Sequence, residues 1–385
     1  MSYKDVVNRE LSRFNHLTWF VSFIFPLILC LIICFIFSKA SPTNLPIAIY
    51  NADNSTLSRT IVRDIEALPS CSVKYQLTNM EEGRQLIVEG KAYAMIVIPK
   101  NFQRDIYRFS QPKLAYYYNN QRILIGGIIT KDINTLVQTL MVGMDAKIKS
   151  KKGVPFDEAV KQSNLINIVD HIRSNPYFNY LYLLSLTAFG HILQISMVLT
   201  SVMCIGTEFK YGTTKEWLET AGGSINTAIL GKFTPYIVLF TLLFNIVFLV
   251  YFQFFHAPYV GNMFVGFLAT VVFVTTCFAL GFVIMSINGN FRFALSFASF
   301  YVAIGFALAG VTFPVMAMPT IVKAYTLLMP LNYWVQIILD QSMRNIPFNY
   351  DIKYFLPFIV LIFVAMIALY RLKILAQDES RWGQS

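Results

Sequence analysis

Apolar residues run almost unbroken in six places along the chain, at about 17–37, 180–204, 228–254, 262–287, 293–311 and 354–374. A helix needs roughly 20 such residues to cross about 30 Å of hydrocarbon, so each run predicts a membrane span. The first keeps full span length from Trp19 to Phe37, and the SKASPTNLP after it lacks a small-residue cleavage pattern, so it reads as an anchor. Between the first two runs, from about 38 to 178, the pattern changes. LPIAIYNAD, AYAMIVIP, KLAYYYN and CSVKYQL are short β-branched and aromatic stretches that predict strands. NSTLSRTIVRDIEAL, with Asn54 or Ser55 as N-cap, and NMEEGRQLIVEGK, capped by Asn79, predict helices between them. Such alternation implies a small α/β sandwich. From Gln121 to about Lys152, Ile125, Ile129, Ile133, Leu136, Leu140 and Met144 recur every three or four residues, predicting one long amphipathic helix that packs on the sheet or on a partner.

A second polar stretch, GTEFKYGTTKEWLETAGGSINTAILGK, separates the second and third runs. Read as a helix, it lines up Tyr211, Thr214, Leu218 and Ala221 beside Trp217, keeps Lys215, Glu216 and Glu219 polar, and stops at Gly222 and Gly223. It is either a handle for a cytoplasmic motor or a solvated loop. Glu208, just before it, either pairs with a cation of the same chain and braces the handle or marks the membrane edge.

Composition agrees with the spans. With 56% hydrophobic residues and 34 Phe in 385, the chain has more apolar surface than a soluble core can hide. The fold class is a polytopic α-helical membrane protein with six transmembrane helices and an inserted α/β domain outside the cytoplasm. The net charge of +10 follows topology rather than nucleic acid, since no Lys/Arg tract lies on a readable helix. Lys4, Arg9 and Arg13 precede the first span, Lys210, Lys215 and Lys232 lie between the second and third, Arg292 follows the fourth, and Arg371, Lys373 and Arg381 follow the sixth. All fall on one side, which the positive-inside rule makes cytoplasmic, with both termini there. The 38–178 region holds 18 of the 31 Lys and Arg and 12 of the 21 Asp and Glu, and is too long for its charge to vote. Of Cys30, Cys34, Cys71, Cys204 and Cys277, only Cys71 lies in that region, so no disulfide is expected within it.

A search for catalytic chemistry fails. Gly231-Lys232 is followed by Phe233 and lacks the upstream glycine of a phosphate-binding loop. His16, His171, His191 and His256 are scattered, with no zinc spacing. No nucleophile turn surrounds Ser185, Ser196 or Ser201. His191, Gln194 and Asn245 face either a substrate cavity or a neighbouring helix, because polar groups in hydrocarbon turn away from lipid. The Phe-rich stretch with Phe291, Phe293, Phe297, Phe300 and Phe306 faces substrate, lipid or a neighbouring helix.

Four stretches in order resemble the membrane-subunit family of type-2 ABC exporters, in the branch with a large extracytoplasmic domain between the first two spans. They are VVNRELSRFNHLTWFVSFIFPLILCLIICFIF, PIAIYNADNSTLSR, GTEFKYGTTKEWLETAGGS and GVTFPVMAMPTIVKAYTLLMPLNYWVQIILD, together covering nearly the whole length. The resemblance implies an amphipathic helix over residues 1–16, with Val7, Leu11 and Phe14 as its apolar face and Arg9 and Arg13 near headgroups. It implies a coupling helix over 208–223 that contacts the ATP-binding subunit through Glu208, Tyr211, Thr214, Lys215, Glu216, Trp217 and Leu218. Segment 312–345, with Pro314, Pro319 and Pro330, would be a re-entrant outer gate that includes Phe313, Val315 and Asn332. In the coupling segment, Lys215, Glu216 and Ala221 depart from the family's arginine-rich or proline-bearing pattern. The implied partners are an ABC ATP-binding subunit carrying ATP and Mg²⁺, a second permease copy and membrane lipid, with a periplasmic adaptor as a further candidate. The implied activity is outward transport of an apolar or amphipathic compound across a bacterial inner membrane, with no ATPase site and no cofactor on this chain. Two rivals are an ion-driven secondary transporter, disfavoured by spans without mid-depth charge, and an anchored sensor, which leaves five spans unexplained.

Overall fold

The computed structural model describes residues 3–13, 19–38, 41–108, 110, 112–119, 123–163, 179, 181–378 and 382–383. The chain divides into two compact units, Met1–Ala40 with Arg173–Ser385, and Ser41–Ile172. The first unit opens with α1 (Tyr3–Ser12), which buries Val6 and Glu10. α2 (Phe25–Ile36) is led in by one π turn over Phe20–Ile24, closed by the Phe25 amide on the Phe20 carbonyl. Pro26, at the start of α2, has no N–H to continue the regular ladder, which accounts for the wider turn. Phe14, His16, His171 and Arg381 lie outside the described residues.

The second unit runs β1 (Leu45–Asn51), α3 (Thr56–Glu66), β2 (Cys71–Gln76), α4 (Met80–Val88), β3 (Ala94–Ile98), α5 (Phe102–Tyr107), β4 (Ala115–Tyr118), α6 (Ile123–Lys151) and α7 (Phe156–Ser163). All four runs read as strands form them. The sheet order is β2-β1-β3-β4, with β2, β1 and β3 parallel and β4 antiparallel at the edge. β3 is buried at every position because it lies inside the sheet with both faces covered, and AMIVI has no polar residue for that reason. On one face Ile47, Ile49 and Ile96 pack with Ile61 and Ile65 of α3 and with Ile125, Ile129 and Ile133 of α6. On the other face Ala48 and Met95 pack with Leu86 of α4. Ser55 caps α3 by accepting from the Ser58 amide, and Asn79 caps α4 by accepting from the Glu82 amide. Burial pushes the Cys71 thiol up, which leaves it little thiolate character.

The remainder of the first unit is α8 (Leu186–Lys210), α9 (Thr214–Thr220), α10 (Ile225–Leu249, extended by a π turn over Val250–Phe254), α11 (Met263–Met285), α12 (Phe291–Ala303), α13 (Gly305–Leu308), α14 (Thr320–Thr326), α15 (Pro330–Leu339) and α16 (Phe348–Gln377). Four helices are long and apolar enough to cross a membrane: Leu186–Lys210, Ile225–Phe254, Met263–Met285 and Phe348–Gln377. Two of the six predicted spans are shorter apolar helices, Ser22–Ile36 and Phe291–Ala303. The run over 293–311 is interrupted after Ala303, resumes briefly from Gly305, where a Cβ would stand 3.1 Å from His191 Nδ1 of α8, and is turned at Gly310, whose φ is +76°. Exposed apolar residues such as Leu242, Leu249, Phe267, Ile359 and Phe363 cover the outside of the bundle, which suits lipid rather than water. Inside, Trp334 lies with its ring centroid 5.2 Å from Phe273 and 5.3 Å from Phe244, and its Nε1–H donates to Thr270 Oγ1 at 3.2 Å. Small residues set the closest helix approaches: a Cβ on Gly281 would stand 2.5 Å from Ser201 Cβ.

Candidate functional site

α1, the end of α8, α9 and the start of α10 meet around a cluster of buried charge. Glu208, in the last turn of α8, is fully buried. Its Oε1 accepts from Arg9 Nη1 at 2.8 Å, Arg13 Nη1 at 2.7 Å and Lys232 Nζ at 2.7 Å. Its Oε2 accepts from Arg9 Nη2 at 3.1 Å and from the Thr213 hydroxyl. Lys232, 1% exposed, also donates to Glu10 Oε2 at 2.6 Å, and the Tyr236 hydroxyl donates to Glu10 Oε1 at 2.9 Å. Every carboxylate oxygen of the two glutamates is therefore occupied. Complete occupation is what makes buried ions tolerable, since desolvation costs several kcal/mol per ion.

The local sequence explains the convergence. Val6 and Glu10 lie four residues apart on one face of α1, and Gly231 lets that face close on α10, where a Cβ would stand 2.7 Å from Val6 Cβ. Tyr3 reinforces the contact by donating to Thr234 Oγ1 at 2.8 Å. Lys232 follows Gly231 directly and so enters the same junction. Trp217 covers it from α9, with Lys232 Nζ 5.5 Å from its ring centroid. Nearby, the Arg371 guanidinium donates to the Ile287 carbonyl at 2.5 Å and the Gly383 amide to the Phe209 carbonyl at 2.9 Å, which brings four of the positively charged segments to one end of the unit.

This arrangement places the residues of both predicted amphipathic helices. α1 turns Val6 and Glu10 inward, leaves Leu11 51% exposed, and sends Arg9 and Arg13 to Glu208. α9 buries Thr214 and Trp217 completely, and Ala221 almost completely, in this chain's own core. Glu208, Thr214 and Trp217 therefore present no side chain outward. Tyr211, Lys215 and Glu216 are exposed, and Leu218 is half-buried. Leu218 and Lys215 line a surface hollow of about 510 Å³ with Glu219, Gly222, Ala376 and Trp382. Glu216 sits 3.7 Å from Arg9 Nε, at the rim of the ion cluster.

A family model described as ABC-2 family transporter protein matches residues 16–370. The chain belongs to that family. No curated protein matches it. As an ABC-2 family protein it is a multi-pass permease component of an ABC transporter, which has no ATPase site of its own and associates with an ATP-binding subunit. The matched stretch contains Glu208, Lys232 and α9 but begins after Arg9, Glu10 and Arg13.

The other candidate residues of this ABC-2 protein fall in separate places. Gln194 is fully buried and its Nε2–H approaches Met329 Sδ at 3.9 Å, while His191, one turn away on α8, lies 5.9 Å from the Phe306 ring centroid. Both face the 305–329 segment of the same chain. Asn245 sits on an exposed face of α10, bonded to the Thr241 carbonyl at 2.7 Å, in a groove of about 310 Å³ with Phe248, Phe252 and Tyr259. Segment 312–345 is broken into short helices at its prolines: Pro314 precedes the 3₁₀ turn Val315–Ala317, Pro319 precedes α14 and Pro330 opens α15. Phe313 and Pro314 are exposed, and Val315 and Asn332 come together at Gly310, where a Cβ would stand 3.0 Å from Val315 Cγ2 and 3.5 Å from Asn332 Oδ1. Among the described residues, no group of three or more His, Cys, Asp or Glu converges into a metal cluster. Sequence reasoning gave Glu10 no role beyond its place in the opening motif, and missed Tyr236 and the central place of Lys232. The one local signal was a lysine at the head of an apolar run, a position where a cation needs a partner.

Proposed function

We propose that α9 is the coupling helix by which an ATP-binding subunit drives this permease, and that the cargo, an apolar or amphipathic compound, moves outward. The observation that carries this reading is the ion cluster behind α9. A short helix of seven residues cannot transmit force by itself, but this one is backed by Glu208 and Lys232, which tie it to α8, α10 and α1. ATP binding would draw two ATP-binding subunits together around their Mg²⁺-ATP, move both coupling helices, and convert a cavity between two permease copies from inward-open to outward-open. In this scheme α2 and α12 are the first and fifth of six spans in a bacterial inner membrane. The 41–172 unit lies outside, and both termini lie in the cytoplasm. Phe313, Pro314, Val315 and Asn332 belong to the outer gate, whose proline-broken helices suit backbone that enters hydrocarbon only where protein covers it. A periplasmic adaptor would meet the 41–172 unit.

The outward face of α9 gives the test. Lys215→Glu combined with Leu218→Asp is expected to leave the permease folded and inserted, because both side chains are at least partly outside its core. Losing an interface anchor and adding an unpaired carboxylate should reduce transport and permease-stimulated ATPase activity by about tenfold or more. Normal stimulated activity in the purified complex of the double variant would move the handle elsewhere. Topology is checked separately in intact cells. A cysteine at Asn54, which is exposed, should react with an impermeant thiol reagent, and one at Tyr211 should not. The reverse pattern would invert the scheme.

A further inference from the structure

A cleft of about 870 Å³ opens in the α/β unit beyond the carboxyl ends of β1 and β2, within the size range of small-molecule sites. The chain leaves β1 through α3 on one face of the sheet to reach β2, then returns past β1 through α4 on the other face to reach β3. Strand order reverses between β1 and β3, and this cleft lies on the neighbouring β1–β2 side of the same carboxyl edge, with Lys100 reaching it from beyond β3. Residues just past all three parallel strands contribute to the wall: Asn51 ends β1, Thr78 follows β2 and Lys100 follows β3.

The charge of the cleft is one-sided. Arg59 and Arg63, four residues apart on one face of α3, and Lys100 from beyond β3 all line it. None of its described lining residues is acidic. Arg59, Arg63 and Lys100 pair with no carboxylate among the described residues. Arg59 Nη1–H is held on the Asn54 carbonyl at 2.8 Å and Arg63 Nη2–H on Thr60 Oγ1 at 3.2 Å, which leaves the rest of each guanidinium fork unused. Like charges at i, i+4 repel, so the grouping carries a cost that a bound anion would remove. Ile49, Ala52, Val62 and Leu77 add apolar surface beside the cations.

We propose that this cleft binds a phosphate-bearing small molecule, with Arg59, Arg63 and Lys100 on the phosphate and the apolar floor against its organic part. Two guanidinium forks and an ammonium match a multiply charged oxyanion better than a single carboxylate. The phosphate belongs either to a free phosphate ester or to a phospholipid headgroup. The site does not depend on the direction of transport or on α9.

The full-length chain, purified in neutral detergent, is titrated calorimetrically with inorganic pyrophosphate. Saturable binding that weakens as ionic strength rises is expected. Arg59→Gln with Arg63→Gln should weaken it by about tenfold or more. Lys100→Gln, which removes a charge without disturbing α3, should weaken it as well while leaving the thermal transition in place, so that loss of binding is separated from loss of fold. Repeating the titration in nanodiscs of phosphatidylcholine with and without phosphatidic acid assigns the source. Lower pyrophosphate affinity in the phosphatidic acid discs, abolished by Lys100→Gln, identifies a lipid headgroup, and equal affinity in both identifies a free phosphate ester. Absence of saturable binding in detergent, or binding that survives all three substitutions, overturns the proposal.

Discussion

Glu208→Ala is expected to unfold the end of the helical unit that carries the ion cluster before any partner is considered. The carboxylate is fully buried and holds Arg9, Arg13 and Lys232 together. Its loss leaves Lys232 buried with one counter-charge and frees α1 from α8. Removing one member of a buried ion network costs about 3–5 kcal/mol, because the remaining charges stay desolvated without their partner. The midpoint of thermal unfolding in detergent should fall sharply, and accumulation in the membrane should fall with it. Glu208→Gln should recover part of the loss, since an amide oxygen still accepts hydrogen bonds but supplies no charge. A Glu208→Ala variant as stable as the parent chain would show that the cluster holds nothing together.

Trp217→Ala is the second large effect, and it separates two roles for the same side chain. A tryptophan that only touched a partner would leave the isolated permease untouched when removed. This one is fully buried within its own chain, with Lys232 below it. Truncating such a side chain costs about 3–5 kcal/mol through lost burial and the cavity left behind. The isolated chain, with no ATP-binding subunit present, should show the whole loss in its unfolding midpoint. An unchanged midpoint together with lost ATPase stimulation would return Trp217 to the partner interface.

Much of the architecture is legible along the chain because it depends on local pattern. The four strands follow runs such as AMIVI, Ser55 and Asn79 cap the helices they precede, and prolines divide the 312–345 segment. Helix faces are less legible. The stripe through Tyr211, Thr214, Leu218 and Ala221 has the right period but is turned from the true inward face, which carries Thr214, Trp217 and Ala221. In a helix of seven residues with apolar groups on two sides, period alone does not say which side meets the core. In α1 the inward face includes Glu10, a residue that any apolar pattern sends outward. Its burial follows from Lys232 and Tyr236, partners whose position only the tertiary fold supplies. The full length of the spans fails for a similar reason. The fifth run is interrupted after Ala303 where Gly305 closes on His191, an approach that neither residue signals in sequence.

The separation of the cluster's members along the chain sets an order of assembly. Arg9 and Glu208 are 199 residues apart, and Glu10 and Lys232 are 222 apart. At a synthesis rate of about 5–20 residues per second, α1 leaves the ribosome roughly 10–45 s before its last partner does. During that interval two arginines and a glutamate have no buried counter-charges to join, and α1 stays undocked until α8 and α10 are in place. Its docking is then a late step that reports both later helices in place, so a nascent chain with a misinserted α10 would keep a loose amino-terminal helix open to proteolysis.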